Sequence, residues 1–340
     1  LLRNHDRMVV EADTEEFFAP ASGYAPDFAE VKGQVCAKRA LEIAAAGGHH
    51  SLMIGSPGCG KSMLAMRLAG ILPPLTMEEA LETSRIHSVL GLLDREHPLV
   101  QPRPFRSPHH TISDMGLIGG GRDPRPGEIS LAHNGVLFMD EFPEFRRNVI
   151  EVLRQPLETG MISVARAAGS YRFPARFMLC AAMKPCPCGR GEVELGCFCK
   201  PLEKQRYLKR ISGPILDRID LQIELRQLTQ EELLHAPPGE PSSAVRQRVT
   251  AARQIQAQRY RGRGFFCNAQ MMPADLRAYC AIDRSCELLM RQAISRFQLS
   301  PRGFDRILKV ARTIADLAGA EKIGDGHLLE AISYRRPGGE

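Results

Sequence analysis

The sequence predicts an α/β fold: a mostly parallel sheet flanked by helices, with β-hairpin insertions and a helical domain at the C-terminal end. Three observations predict it. Four short apolar runs alternate with stretches of helical periodicity, as strand–helix–strand crossovers require. The first run enters a glycine-rich turn, and a helical pattern follows at once. Beyond "HAPPGEPSS" (235–243), the best linker, every segment reads as helix.

In chain order, residues 1–30 are mixed, and "EADTEEFFAPASGYAP" (11–26) reads as a linker. "FAEVKGQVCAKRALEIAAAGGHH" (28–50) has helical spacing that stops at Gly47–Gly48. "SLMIG" (51–55) is a short buried strand, and "KSMLAMRLAGIL" (61–72) resumes a helix. "GVLFMDE" (135–141), "RFMLCAAM" (176–183) and "LQIEL" (221–225) are the remaining strands. "MISVARAAGSYRF" (161–173) reads as two short strands around an Ala-Gly-Ser turn. The boundaries that follow are a linker over 1–26, a core over 27–234 and a helical domain over 235–340.

The chain has 340 residues, 44% hydrophobic and 25% charged, enough for one large or two modest cores. No apolar run approaches the roughly 20 residues that span a bilayer. Leu1 is not a natural start, so a fragment boundary is expected there. Ten cysteines without a secretory signal favour reduced thiols and a cytoplasmic location. Net charge is only +6, but its distribution is uneven. From Pro241 to Ala274 there is no acidic residue, while Arg246, Arg248, Arg253, Arg259, Arg261 and Arg263 all fall there. Such a block serves either an anionic partner or a solvated helix face.

"GSPGCGKS", Gly55–Ser56–Pro57–Gly58–Cys59–Gly60–Lys61–Ser62, fits G-x-x-x-x-G-K-[ST] with a strand before it and a helix after it. Glycines let backbone N–H groups converge on phosphate oxygens, and the helix N-terminus adds partial positive charge. Lys61 is expected on the β/γ-phosphates of ATP and Ser62 on Mg²⁺. "VLFMDE" carries Asp140 and Glu141 to the carboxyl edge of a parallel sheet. Asp140 would complete the Mg²⁺ shell, and Glu141 would orient and deprotonate the attacking water.

With "GGGRDPRPGEISLAHNGVLFMDEFPEF" (119–145) and "SGPILDRIDLQIEL" (212–225), these motifs closely resemble the ComM/YifB group of magnesium-chelatase-like AAA+ ATPases. The likeness runs over about residues 27–335. It implies a hexameric ring ATPase acting on single-stranded or branched DNA, with helicase or branch-migration activity during natural transformation. It also implies that the family's N-terminal Lon-protease-like domain is reduced to a tail in residues 1–26. Arg218 in "ILDRID" resembles the family's arginine finger, inserted into a neighbouring subunit's site, and Arg302 in "LSPRGFDR" its lid arginine. Either could instead form a structural ion pair. Lys61 and Asp140 are 79 positions apart, more than a simple crossover needs. That surplus includes "RPFRSPHHTISDMGLIGGG", which the resemblance directs towards the pore. Arg166 of the hairpin, with Arg172, His109 and His110, is expected on the DNA backbone; ordinary surface loops are the alternative.

Two features depart from a standard motor. The resembled family usually carries asparagine in "AAMNPCPCG", where this chain has Lys184. Asparagine both donates and accepts, whereas lysine only donates and brings charge. Lys184 is expected to leave nucleotide binding intact and lower turnover. Next, Cys186-x-Cys188 and Cys197-x-Cys199 give four soft ligands within 14 residues, enough for a tetrahedral Zn²⁺; a redox knot is the alternative. The rival functions are a protein-remodelling ATPase of the magnesium-chelatase kind and a nucleotide-gated scaffold with weak hydrolysis.

Overall fold

The computed structural model describes residues 26–93, 98–121, 124–166, 169–191 and 196–335, without the side chains of residues 165, 166 and 169. Seven strands matter to the site: β1 Ser51–Gly55, β2 Phe105–Arg106, β3 Val136–Met139, β4 Met161–Arg166, β5 Gly169–Pro174, β6 Met178–Met183 and β7 Leu221–Leu225. Five form one sheet in the order β2-β3-β6-β1-β7, every neighbour parallel. β1 lies at the crossover point, with Leu52 opposite Ala181 on one side and Gln222 on the other.

Burial on both faces explains why these strands are continuously apolar rather than alternating. Met53, Phe138, Cys180 and Ile223 point into one core. Their neighbours Leu52, Leu137, Leu179 and Ala181 point into a second core on the other face. The first core is closed by α1 (Val35–Gly47) and α2 (Lys61–Ile71), and it continues into the C-terminal helices. α3 (Met77–Val89) starts at a reciprocal cap between Thr76 and Glu79. α4 (Ser242–Arg259), α5 (Arg284–Phe297), α6 (Pro301–Leu317) and α7 (Asp325–Ser333) build the helical domain; α4 and α6 pack on α1.

The structure differs from the sequence expectation in two places. The helix read over 28–50 is broken: a 3₁₀ turn covers Phe28–Glu30, and Gly33 and Gln34 adopt positive φ before α1 begins. β2 was not anticipated, because two residues between prolines carry no periodicity. It is held from outside, by the Val136 amide donating to Pro104 O and by Arg106 pairing with Glu128. The expected hairpin forms as the antiparallel pair β4–β5, with Ser163 opposite Arg172. The expected tail over 1–26 lies outside the described residues except for its last, Pro26.

Candidate functional site

All five strands of the sheet are parallel, so its two edges differ, and the sequence-predicted residues divide between them. At the carboxyl edge β1 ends in the phosphate loop. Gly58 and Gly60 sit at φ +78° and +95°, a region side chains rarely adopt, and a Cβ built on either meets nothing within 4 Å. The loop is therefore an open cradle. Gly55 is glycine for a different reason: a Cβ there would lie 2.6 Å from Cys59 Sγ and 2.7 Å from Leu225 O. Lys61 folds back to donate to the carbonyls of Gly55 and Ser56 at 2.7 and 2.8 Å. These donors suit phosphate oxygens, and the eleven-residue α2 points its N-terminus at the same space.

β3 delivers the carboxylates. Ser62 Oγ donates to Asp140 Oδ2 at 2.7 Å, which places a hydroxyl and a carboxylate as a hard-oxygen pair beside the cradle. This donor set fits Mg²⁺. Glu141 follows at φ +49°, with its amide donating to Asp140 Oδ1 at 2.8 Å. A left-handed non-glycine residue stores strain, and it turns the Glu141 carboxylate off the strand axis towards the end of β6. There Lys184 Nζ meets Glu141 Oε1 at 2.7 Å. The hydrogen bond from Lys184 holds the Glu141 carboxyl below its usual range and raises the lysine in turn. His110 contributes to the same depression of Glu141 and stacks edge-on against Phe145.

Arg218 and Arg302 are elsewhere. Both converge on Glu158, Arg218 at 2.7 Å and Arg302 at 3.5 Å. They line a cleft of about 440 Å³ with His50, Gly135, Phe177 and Asp220, residues that precede the strands rather than follow them. This is the amino edge. Arg218 is buried and also donates to Pro214 O, while Arg302 is exposed. Sequence reading missed Glu158, which gathers the two arginines, and the buried Asp220, which pairs with Arg306 of α6. Burial would raise the Asp220 carboxyl, but Arg306 and His49 outweigh it and hold it well below the carboxylate range. Burial also pushes the neighbouring His50 down to about 4, so this imidazole is neutral.

The residues expected on DNA are not gathered into one place. Arg172 is exposed on β5, whose hairpin is rooted at the amino edge by the Ala175 amide donating to Gly160 O. His109 and His110 follow β2 towards the carboxyl edge, with ring centroids 4.1 Å apart. The side chain of Arg166 lies outside the described residues. The basic block is largely spoken for. Arg248 pairs with Glu42 and Glu240, Arg259 with Asp316, Arg253 caps Ala45 O, and Arg246 holds Gly70 O. Arg246, Arg248 and Arg253 bind the helical domain to the core, whereas the Arg259 pair ties α4 to α6 within that domain; Arg261 and Arg263 are exposed.

The four cysteines do come together. Their sulfurs all lie within 4.8 Å of one another as free thiols. Among the described residues no helix is long and apolar enough to cross a membrane.

Comparison with known proteins agrees with this architecture. Residues 27–233 match the family of magnesium chelatase subunit ChlI, and residues 239–335 match the C-terminal domain of the same subunit. A protein named YifB from Salmonella typhimurium is 47% identical over 91% of this chain and 60% of its own length. The competence protein ComM of Haemophilus influenzae is 46% identical over 91% of this chain and 60% of its own. The magnesium-chelatase 38 kDa subunit of Cereibacter sphaeroides is 23% identical over 91% of each. The chain thus spans about 60% of the length of the first two relatives. On these matches it belongs to the magnesium chelatase ChlI family of AAA+ proteins, as a ComM/YifB-type member with an α/β P-loop core and a C-terminal helical domain.

Proposed function

We propose that the protein is an ATPase that works as a closed ring, a hexamer, and moves DNA, in the manner of a branch-migration helicase serving recombination during transformation. One observation carries the ring: the cradle, Ser62, Asp140 and Glu141 lie at one edge of the sheet, and Arg218 and Arg302 at the other. A five-residue strand is roughly 16 Å long, too far for either arginine to reach its own chain's γ-phosphate. Head-to-tail association puts the arginine edge of one copy against the cradle of the next.

Within such a site Lys61 and the loop amides bind and orient the triphosphate. Mg²⁺ held by Ser62 and Asp140 would neutralise charge on its oxygens. Glu141 accepts the proton of the attacking water, and Arg218 of the adjacent copy stabilises the charge that develops. DNA is supported by the ComM relative's competence name and by the exposed Arg172, and it draws little from the basic block, most of which is internally paired. The relationship to a magnesium-chelatase subunit favours a second reading, remodelling of a protein partner by the same engine.

The test is strand exchange on a synthetic four-way junction with ATP and Mg²⁺, beside a Glu141→Gln control, with assembly followed by light scattering. ATP-dependent exchange by a multi-subunit species, abolished in the control, is expected. A chain that stays monomeric and ignores DNA at all salt concentrations would refute the motor. Turnover without a salt-dependent DNA affinity would favour the protein-remodelling reading.

A further inference from the structure

We propose that Cys186, Cys188, Cys197 and Cys199 hold one tetrahedral Zn²⁺ ion, and that this knot is the wall against which the phosphate loop rests. Sulfur spacing is the first argument. Cys186 Sγ lies 3.3 Å from Cys188 Sγ and 3.7 Å from Cys197 Sγ, and the latter two are 3.6 Å apart. Zn–S bonds of about 2.3 Å give a tetrahedron whose sulfur–sulfur edges are roughly 3.8 Å. A disulfide would need about 2.05 Å, and a two-iron cluster would hold its thiolate pairs further apart. One ion fits.

Backbone support is the second argument. The Gly191 amide donates to Cys186 Sγ at 3.2 Å, the kind of outer contact that steadies a thiolate ligand. It can be made because Gly189 and Gly191 sit at φ +82° and +79°, which wraps the chain around the first cysteine pair. Cys186 and Cys197 are buried, whereas the segment between them is polar, so hydrophobic packing does not account for the convergence.

The knot leaves β6 directly behind Lys184, and its first turn faces the nucleotide cradle. A Cβ on Gly189 would stand 2.7 Å from Pro57 Cδ, so the two loops are in contact. Losing the ion would free the Gly189 turn and with it the back of the phosphate loop. By reciprocity, nucleotide in the cradle must hold the ion more firmly.

Elemental analysis of the whole chain, purified without chelator, should find about one zinc per chain. Cys197→Ser should lose it, and Cys36→Ser, at an exposed cysteine outside the cluster, should keep it. Absence of metal after reconstitution with zinc under reducing conditions, or iron in its place, would overturn the assignment. Zinc release by a mercurial thiol reagent, read with a metallochromic dye, should slow at least threefold under saturating ADP and Mg²⁺. An unchanged release rate would overturn the buttress. This second half rests on the nucleotide site proposed above, which titration with a fluorescent nucleotide checks separately. Zinc without nucleotide binding would sink the ATPase reading and the buttress together, and leave the metal site standing.

Discussion

Lys184 is the residue whose replacement says most about the engine. It grips Glu141 at 2.7 Å, and in the proposed mechanism Glu141 leaves that grip to take a proton from water. The two side chains are 32% and 41% exposed, so solvent screens the pair. An ion pair of that exposure is worth about 0.5–1 kcal/mol, far less than its short distance suggests. Releasing Glu141 therefore raises the barrier by the same amount, which is about 2–5-fold in rate. Lys184→Asn should speed single-turnover hydrolysis by that factor in the assembled protein, with nucleotide affinity little changed. The pH profile supplies a second readout. Lys184 lowers the Glu141 pKa, so the carboxylate stays ionised further into acid; without the lysine, the acid limb of the rate profile should move to higher pH. If hydrolysis falls or stays level in Lys184→Asn and the acid limb does not move, Lys184 is not restraining Glu141. If instead affinity for ATP drops sharply, the lysine binds the γ-phosphate.

The other predictions concern the amino edge. Arg218→Ala should bind nucleotide and lose about 10³-fold in turnover, but mixing it with Glu141→Gln subunits should restore part of the rate. At an interface where the Arg218→Ala copy supplies Glu141 and its neighbour supplies Arg218, one complete site is rebuilt; mixtures without activity would argue against action between subunits. Arg306→Met leaves the buried Asp220 without its cationic partner and should destabilise the chain by about 3–5 kcal/mol in denaturant melts. Because the folded Asp220 pKa is depressed, this stabilisation is present above its unfolded value near 4 and is lost as pH falls below it. Wild type and Arg306→Met melts should accordingly converge in acid, and parallel melts at pH 7 and pH 3 would refute the pairing. Arg172→Glu should abolish stimulation of hydrolysis by DNA while sparing the basal rate; unchanged stimulation would remove the hairpin from the DNA path.

Local features were legible in the sequence, and long-range pairings were not. The phosphate loop is written in eight consecutive residues, and the cysteine cluster in fourteen, so spacing alone identifies both. The arginines of α4 show where such reading stops. Their charge is visible as a run, but Glu42, Ala45 O and Gly70 O, which consume Arg248, Arg253 and Arg246, come from helices some 200 residues earlier. A composition count sees donors and not their acceptors. Lys184 lies between these extremes. Met139 pairs with Ala181, so Glu141 and Lys184, two and three residues beyond, emerge side by side at the carboxyl edge. Once β3 and β6 are taken as neighbours their contact follows, and nothing before that step implies it.

In the proposed ring each chain supplies half of a site, and the sheet geometry accounts for that division. A parallel sheet gathers loop amides and strand-end carboxylates at one edge, where a triphosphate and a divalent cation are naturally held. Arg218 and Arg302, to which the proposed ring gives the stabilising role, stand at the opposite edge, away from Asp140 and Glu141. There both are held on Glu158, an exposed carboxylate whose pKa Arg218 depresses, with Arg302 exposed and Arg218 buried. In the proposed ring, Glu158 gives them up when a neighbour docks. Exchange of a half-exposed ion pair for a triphosphate is favourable in charge, which ties assembly to occupancy of the cradle, and a Glu158→Gln chain should accordingly associate at lower nucleotide concentration than the wild type.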